Sequence, residues 1–356
     1  MTPRVIASGA VAVGVLCGAV VVQASRHAAA LGADPLQPPQ RLSETGLYVA
    51  GNLGVIDPRN HAFAPQYPLW SDGLIKRRWL QLPAGAAIDA HDEFAWEFPV
   101  GTRLWKEFSR GDRKVETRLL WKASSAGWVF GSYAWNADGT DAVLVPKEGI
   151  VTDVEVAPGR RHAIPSRADC ATCHGPAAKA GPLGVNLLQL SPDRDPNALH
   201  GEPLREGMLT LPIAVHDGLV KGLASRWLAA PPRIRSSNAD TRSVLGYMAA
   251  NCSMCHNGNG EITALAPVIR YRDLLEDGDS VARSLVGQPT RWQLPGAADG
   301  STVLVQAGAP EQSAMVARMR SRSPSTQMPP LGTVVRDQAA VDLVGRWISS
   351  ELMRSH

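Results

Sequence analysis

Two five-residue segments, "CATCH" at 170–174 and "CSMCH" at 252–256, repeat one pattern: two cysteines two residues apart, with histidine directly after the second. Only one other cysteine, Cys17, occurs among 356 residues. Spacing this tight places two thiols and an imidazole on one short stretch of backbone, twice. Four cysteines after Cys17 first suggest disulfides if the chain is exported. A bridge inside either segment would close a very small loop, where the chain-entropy gain is least, and would leave the histidine without a role. A zinc site would have to unite cysteines 82 positions apart and would not need the histidines. A thioredoxin-like redox pair belongs in a βαβ pattern, and neither segment has one around it.

One chemistry uses every residue of the pattern. Two thiols can add across the two vinyl groups of haem to give thioethers, and the next residue then offers an imidazole nitrogen to the iron. Two intervening residues let one turn of backbone span the porphyrin edge, and their identity is free, as Ala171–Thr172 and Ser253–Met254 illustrate. Cys170, Cys173 and His174 are therefore expected to hold one covalent haem c, and Cys252, Cys255 and His256 a second.

The N-terminus is consistent with export. Arg4 precedes a run from Val5 to Val22 in which Ser8 is the only polar side chain, and small residues follow at 22–24 and 28–30. Residues 1–30 read as a signal peptide or a membrane anchor, with Cys17 inside it, because about 18 apolar residues is the lower edge of a membrane span. A net charge of +3, without a dense Lys/Arg run, gives no footprint for nucleic acid. No Ser-His-Asp order, glycine-rich phosphate loop or paired-carboxylate motif stands out. His61 and His91 lie near turn sequences and read as surface residues.

Between 45 and 158 the chain looks β-rich. "FAWEF" (94–98), "TRLWKEF" (102–108), "VETRLLW" (115–121) and "WVFGSYAW" (128–135) are separated by turn sequences such as "RGD" (110–112) and "SSAG" (124–127), a spacing that suits a sandwich or barrel. Seven of the ten tryptophans fall between 70 and 135, which points to core packing there. Glu116 and Arg118 alternate along one predicted strand and read as a solvated face. Residues 159–235 show little periodicity. "LAAPPRIRSSNAD" (228–240) reads as a linker ending in helix-starting side chains, and 241–250 and 337–353 as helices, the latter with Val341, Val344, Ile348 and Leu352 on one face and Asp337 as its cap.

Around the second pentad, residues 241–353 resemble a small class I cytochrome c domain. A helix with Gly246 and Tyr247 precedes the pentad, "QMPPLG" (327–332) follows, and a terminal helix bears Trp347. The resemblance implies His256 as proximal ligand, Met328 as distal ligand, and Gly246 with Trp347 at a helix crossing; Met315 and Met319 read as core. More widely, "YPLWSDGLIKRRWLQLPAG", "FPVGTRLWKEF", "IPSRADCATCH", "PLGVNLLQL", "NCSMCH", "GAPEQSAMVARM" and "QMPPLG" together resemble a family of bacterial dihaem c-type cytochromes with a β-rich N-terminal region. The expected fold is multi-domain α+β: a β-rich, sandwich-like domain at 45–158, a first haem-binding segment at 159–235, and a mostly α-helical cytochrome c region at 240–356. The implied role is periplasmic electron transfer, with a dehydrogenase or terminal oxidase among the redox partners and tethering to the inner membrane where the N-terminus stays on. The alternative is a dihaem peroxidase-like enzyme with an open first iron. The sixth ligand of that iron is left among Met208, His200 and His216.

Overall fold

The computed structural model describes residues 37–125, 127–175, 181–258 and 267–350. The expected signal or anchor at 1–30 lies outside them. No helix of the described residues is long and apolar enough to cross a membrane.

From Pro38 onward the chain packs as one unit of mixed α+β structure. Its strands are β1 (Tyr48–Val49), β2 (Asn52–Ile56), β3 (His61–Ala62), β4 (Ile75–Gln81), β5 (Ile88–Asp89), β6 (Arg103–Arg110), β7 (Arg113–Ser124), β8 (Gly127–Trp135), β9 (Ala142–Leu144), β10 (Ile150–Ala157), β11 (Arg160–Ile164) and β12 (Val220–Lys221). The helices are α1 (Arg167–His174), α2 (Leu211–His216), α3 (Arg226–Ala229), α4 (Ala239–Asn251), α5 (Tyr271–Ser284), α6 (Ala314–Arg320) and α7 (Gln338–Ser350).

The expected sandwich is instead one six-stranded antiparallel sheet, in the order β3-β4-β6-β7-β8-β9, with three two-stranded pairs beside it. Three of the four predicted strands became β6, β7 and β8. "FAWEF" did not, because Asp92 captures the chain: its carboxylate accepts the Phe94 amide at 3.0 Å and its carbonyl the Ala95 amide. This is an Asx turn, which offers the backbone an alternative to a ladder.

Side chains alternate across the sheet. Trp79, Trp105, Leu119, Tyr133 and Trp135 face a cluster completed by Leu42, Leu47 and Tyr48. Leu80, Leu104 and Phe130 face the other way, into a larger cluster that also contains Val244, Leu245, Val341 and Trp347 of the helical region. The β-rich and helical parts thus share one core. The 228–240 segment is packed as well: Ile234 is buried, and the Arg235 amide donates to Leu274 at 3.0 Å.

Helix α4 begins where the sequence suggested, with the Asn238 side chain accepting the Thr241 amide at 2.9 Å. Asp337 likewise caps α7, accepting the Ala340 amide at 3.2 Å. Ten of the thirteen α4 residues are buried, so the helix is covered all round rather than on one stripe. On one side it packs against α5 and α7, with the Trp347 indole donating to Thr241 Oγ1 at 3.1 Å. At Gly246 the neighbour is the ring of Tyr67, from the β-rich part, so close that an added Cβ would lie 2.0 Å from it. The small residue there admits a tyrosine from across the molecule.

Candidate functional site

The hairpin β10–β11 covers the sheet face that bears Phe108 and Glu116: the His162 ring lies 6.2 Å from Phe108, and its Nε2 donates to Glu116 at 2.8 Å. The chain leaves this hairpin directly into the first pentad. "CATCH" is itself the end of helix α1, started by a reciprocal capping box in which Ser166 accepts the Asp169 amide at 3.0 Å and Asp169 accepts the Ser166 amide at 2.9 Å. The S-x-x-D pattern at 166–169 is the sequence signal for this helix. Helical geometry then puts Cys170, Cys173 and His174 on adjacent faces of one turn.

His174 is prepared as a ligand. Its Nδ1 donates to the Gly181 carbonyl at 2.8 Å, which fixes the tautomer and leaves the Nε2 lone pair available. Burial, chiefly, lowers its pKa to about 4, with Lys106 and Arg118 contributing, so the ring is neutral at pH 7. The ring packs beside Phe130 of β8 at 5.8 Å.

The second pentad follows α4 without a break in hydrogen bonding. The Cys252 amide donates to Met248 at 2.8 Å, the His256 amide to Cys252 at 2.9 Å, and the Ile269 amide returns to the His256 carbonyl at 2.6 Å. Trp70 anchors the turn from the other side, its amide donating to Asn251 Oδ1 at 2.8 Å.

All four cysteines of the pentads are free thiols. Burial raises each of them: Cys173 to about 11, with Cys255 the next cause, and Cys252 to about 12. Protonated, electrostatically quiet thiols are the opposite of a thioredoxin-like nucleophile. Among the described residues no group of three or more His, Cys, Asp or Glu side chains is placed to hold a metal ion. Yet all four remain partly accessible, as does His174. The influence of Cys255 on Cys173 also brings the two pentads, far apart in sequence, to within electrostatic reach of each other.

The remaining candidates are distributed as follows. Met328 lies half-buried in the loop between α6 and α7, its amide donating to the Arg318 carbonyl at 3.0 Å. Met315 and Met319 of α6 pack against the main core. His200 is engaged elsewhere: Nε2 donates to Asp337 at 2.8 Å and the ring lies 4.8 Å from Trp70. The Met208 sulfur accepts the Arg205 amide at 3.4 Å. His216 is 88% exposed and bonded to Asp217.

Sequence reasoning missed one group. Glu116 and Arg118, expected on a solvated face, form a buried ion pair with bonds of 2.5 and 3.0 Å; Glu116 has no exposed surface. Burial alone would raise the Glu116 pKa, but Arg118 and His162 outweigh it and bring it down to about 2. The correction follows from the hairpin laid over that face, which a strand pattern read alone does not reveal.

The residues of the first pentad fit a thioether-bound porphyrin: two free thiols on one turn, a neutral imidazole with its Nδ1 fixed by a carbonyl, an aromatic neighbour and some accessible surface. No family model, curated protein or solved structure matches this chain.

Proposed function

We propose that the protein is an exported dihaem c-type cytochrome that passes electrons between periplasmic redox partners. The observation that supports this most is that the two pentads, far apart in sequence, lie within electrostatic reach of each other at Cys173 and Cys255. Two sites brought near within one packed unit suit charge passage through the protein. Cys170 and Cys173 would hold one haem by thioethers, with His174 on its iron; Cys252, Cys255 and His256 would hold the other, with Met328 as the second axial group. The haems supply reversible one-electron chemistry when bound. The chain supplies a neutral imidazole at His174 and a desolvated surround, and the Met328 sulfur would raise the potential relative to paired imidazoles.

A second reading, a dihaem peroxidase-like enzyme, is favoured by one feature. His200 and His216 are each bonded to a carboxylate and Met208 to a backbone amide, so an iron held by His174 would have a position that none of these three fills.

Separate redox and ligand titrations of the two haems distinguish these readings. Met328→Ala is expected to lower the midpoint potential and alter the reduced spectrum of the second haem alone. Unchanged values would remove Met328 from the site. The carrier reading predicts no turnover with peroxide, whereas peroxide consumption at the first haem, together with carbon monoxide binding there, would establish the enzyme.

A further inference from the structure

The sheet face beneath the first pentad holds a row of cations. Arg78 of β4 lies directly opposite Lys106 of β6, and Lys106 directly opposite Arg118 of β7. Lys76, two residues before Arg78, projects from the same face. Like charges placed directly opposite on adjacent strands are destabilising, so such a row needs compensation. Part of it is present: Arg78 is held by Glu202 at 2.6 and 3.1 Å, and Arg118 by Glu116. Lys76 donates to the Leu69 carbonyl at 2.7 Å. Lys106, in the middle, has no carboxylate within ion-pair reach among the described residues and only the ring of Phe108 beside it, at 4.8 Å.

Arg78 and Arg118 are thus held directly by carboxylates, while Glu202 acts on Lys106, and Glu202 and Asp337 act on Lys76, only at a distance. Burial first, then Arg78, Lys76 and Arg118, depress Lys106 well below the usual lysine range, and burial brings Lys76 down to about 8. In both, burial is the largest cause and Glu202 opposes it. The next row of the same face, Leu80–Leu104–Leu120–Phe130, is apolar, and His174 packs on its Phe130 end. Lys106 and Arg118 act electrostatically on His174, and Arg118 is itself influenced by Cys170 and Cys173. An apolar stripe beside a cationic one, next to the ligand histidine, matches a flat apolar body with two anionic groups on one edge.

We propose that the row Arg78–Lys106–Arg118, with Lys76, is a carboxylate-binding site that receives the two carboxylates of the haem attached at Cys170 and Cys173. The proposal rests on the haem-binding reading above. The row would hold the two carboxylates of that haem against the sheet and would bias its iron toward the reduced state, because positive charge nearby disfavours the oxidised form.

The test is Lys106→Met in the full-length, haem-loaded protein, with Lys106→Arg as the charge-conserving control. Intact mass of each product establishes first that two haems are attached; bare polypeptide would overturn the haem reading itself, independently of the row. With two haems present, Lys106→Met is expected to lower the midpoint potential of the first haem only. The expected shift is on the order of tenfold in its oxidised-to-reduced ratio, about 59 mV. It should also move the propionate-bending band of one haem in the resonance Raman spectrum, and Lys106→Arg should restore both signals. Malonate, as a free dicarboxylate probe, should leave the wild-type spectrum and melting temperature unchanged. An unmoved potential and Raman band in a doubly loaded Lys106→Met protein would overturn the proposal. So would saturable malonate binding that depends on Lys106, which would mean that the row takes a free carboxylate instead.

Discussion

Glu116→Gln is expected to destabilise the protein by about 3 kcal/mol or more, the cost of leaving one member of a buried ion pair without its partner. Glu116 is fully buried and accepts from both Arg118 and His162. Removing its charge strands the Arg118 guanidinium beneath the β10–β11 hairpin. Replacing both partners, as in Glu116→Gln with Arg118→Met, should recover much of the loss, since an apolar pair of similar volume does not have to be desolvated as ions. The same group gives a pH signature. Its folded pKa, about 2, lies below the unfolded value of a glutamate, so its contribution is complete above about pH 5. That contribution is lost progressively as pH falls toward 2. Urea melts at pH 7 and pH 3 should show wild type losing more stability than Glu116→Gln over that interval. Parallel losses would mean that Glu116 is not held ionised by its neighbours.

The second large effect is at Gly246. A methyl group there would sit 2.0 Å from Tyr67 Cε1 and 2.3 Å from Cδ1. Tyr67 cannot swing aside easily: it is 2% exposed and its hydroxyl donates to Asp195 at 3.1 Å. Gly246→Ala is therefore expected to cost about 3 kcal/mol through overpacking, although alanine is the better helix former by about 1 kcal/mol. In a Tyr67→Ala background the sign should reverse, with Gly246→Ala now neutral or stabilising. A penalty that persists there would place the close contact elsewhere, for example at the crossing with α7.

These two sites mark where local pattern stopped being informative. The strands β6 to β8, the cap at Asn238 and the terminal helix were legible because each follows from nearest-neighbour chemistry: alternation, a capping side chain, a 3.6-residue period. The pentads are marked in the sequence by their spacing, and the structure adds that the first of them ends a capped helix. The burial of Glu116 was not, since a strand shows its alternation but not what covers each face, and the cover here arrives from residues 150–164. Gly246 was placed at a helix crossing by the resemblance to a class I cytochrome c domain. The side chain nearest to it is Tyr67, 179 positions away in a segment without secondary structure. The same long-range assembly made the single shared core invisible: Trp70 reaches both Asn251 and the Val335 carbonyl, and Asp72 accepts the Val334 and Val335 amides. Such contacts join segments that composition had divided into separate units.

The account depends above all on porphyrin being bound through carbon–sulfur bonds at both pentads. Intact mass of the denatured protein, produced in a host competent for cytochrome c maturation, measures this directly. The wild-type polypeptide should weigh two haems more than its bare chain, and a Cys252→Ser, Cys255→Ser variant one haem more. A wild-type mass equal to that of the bare polypeptide would contradict it.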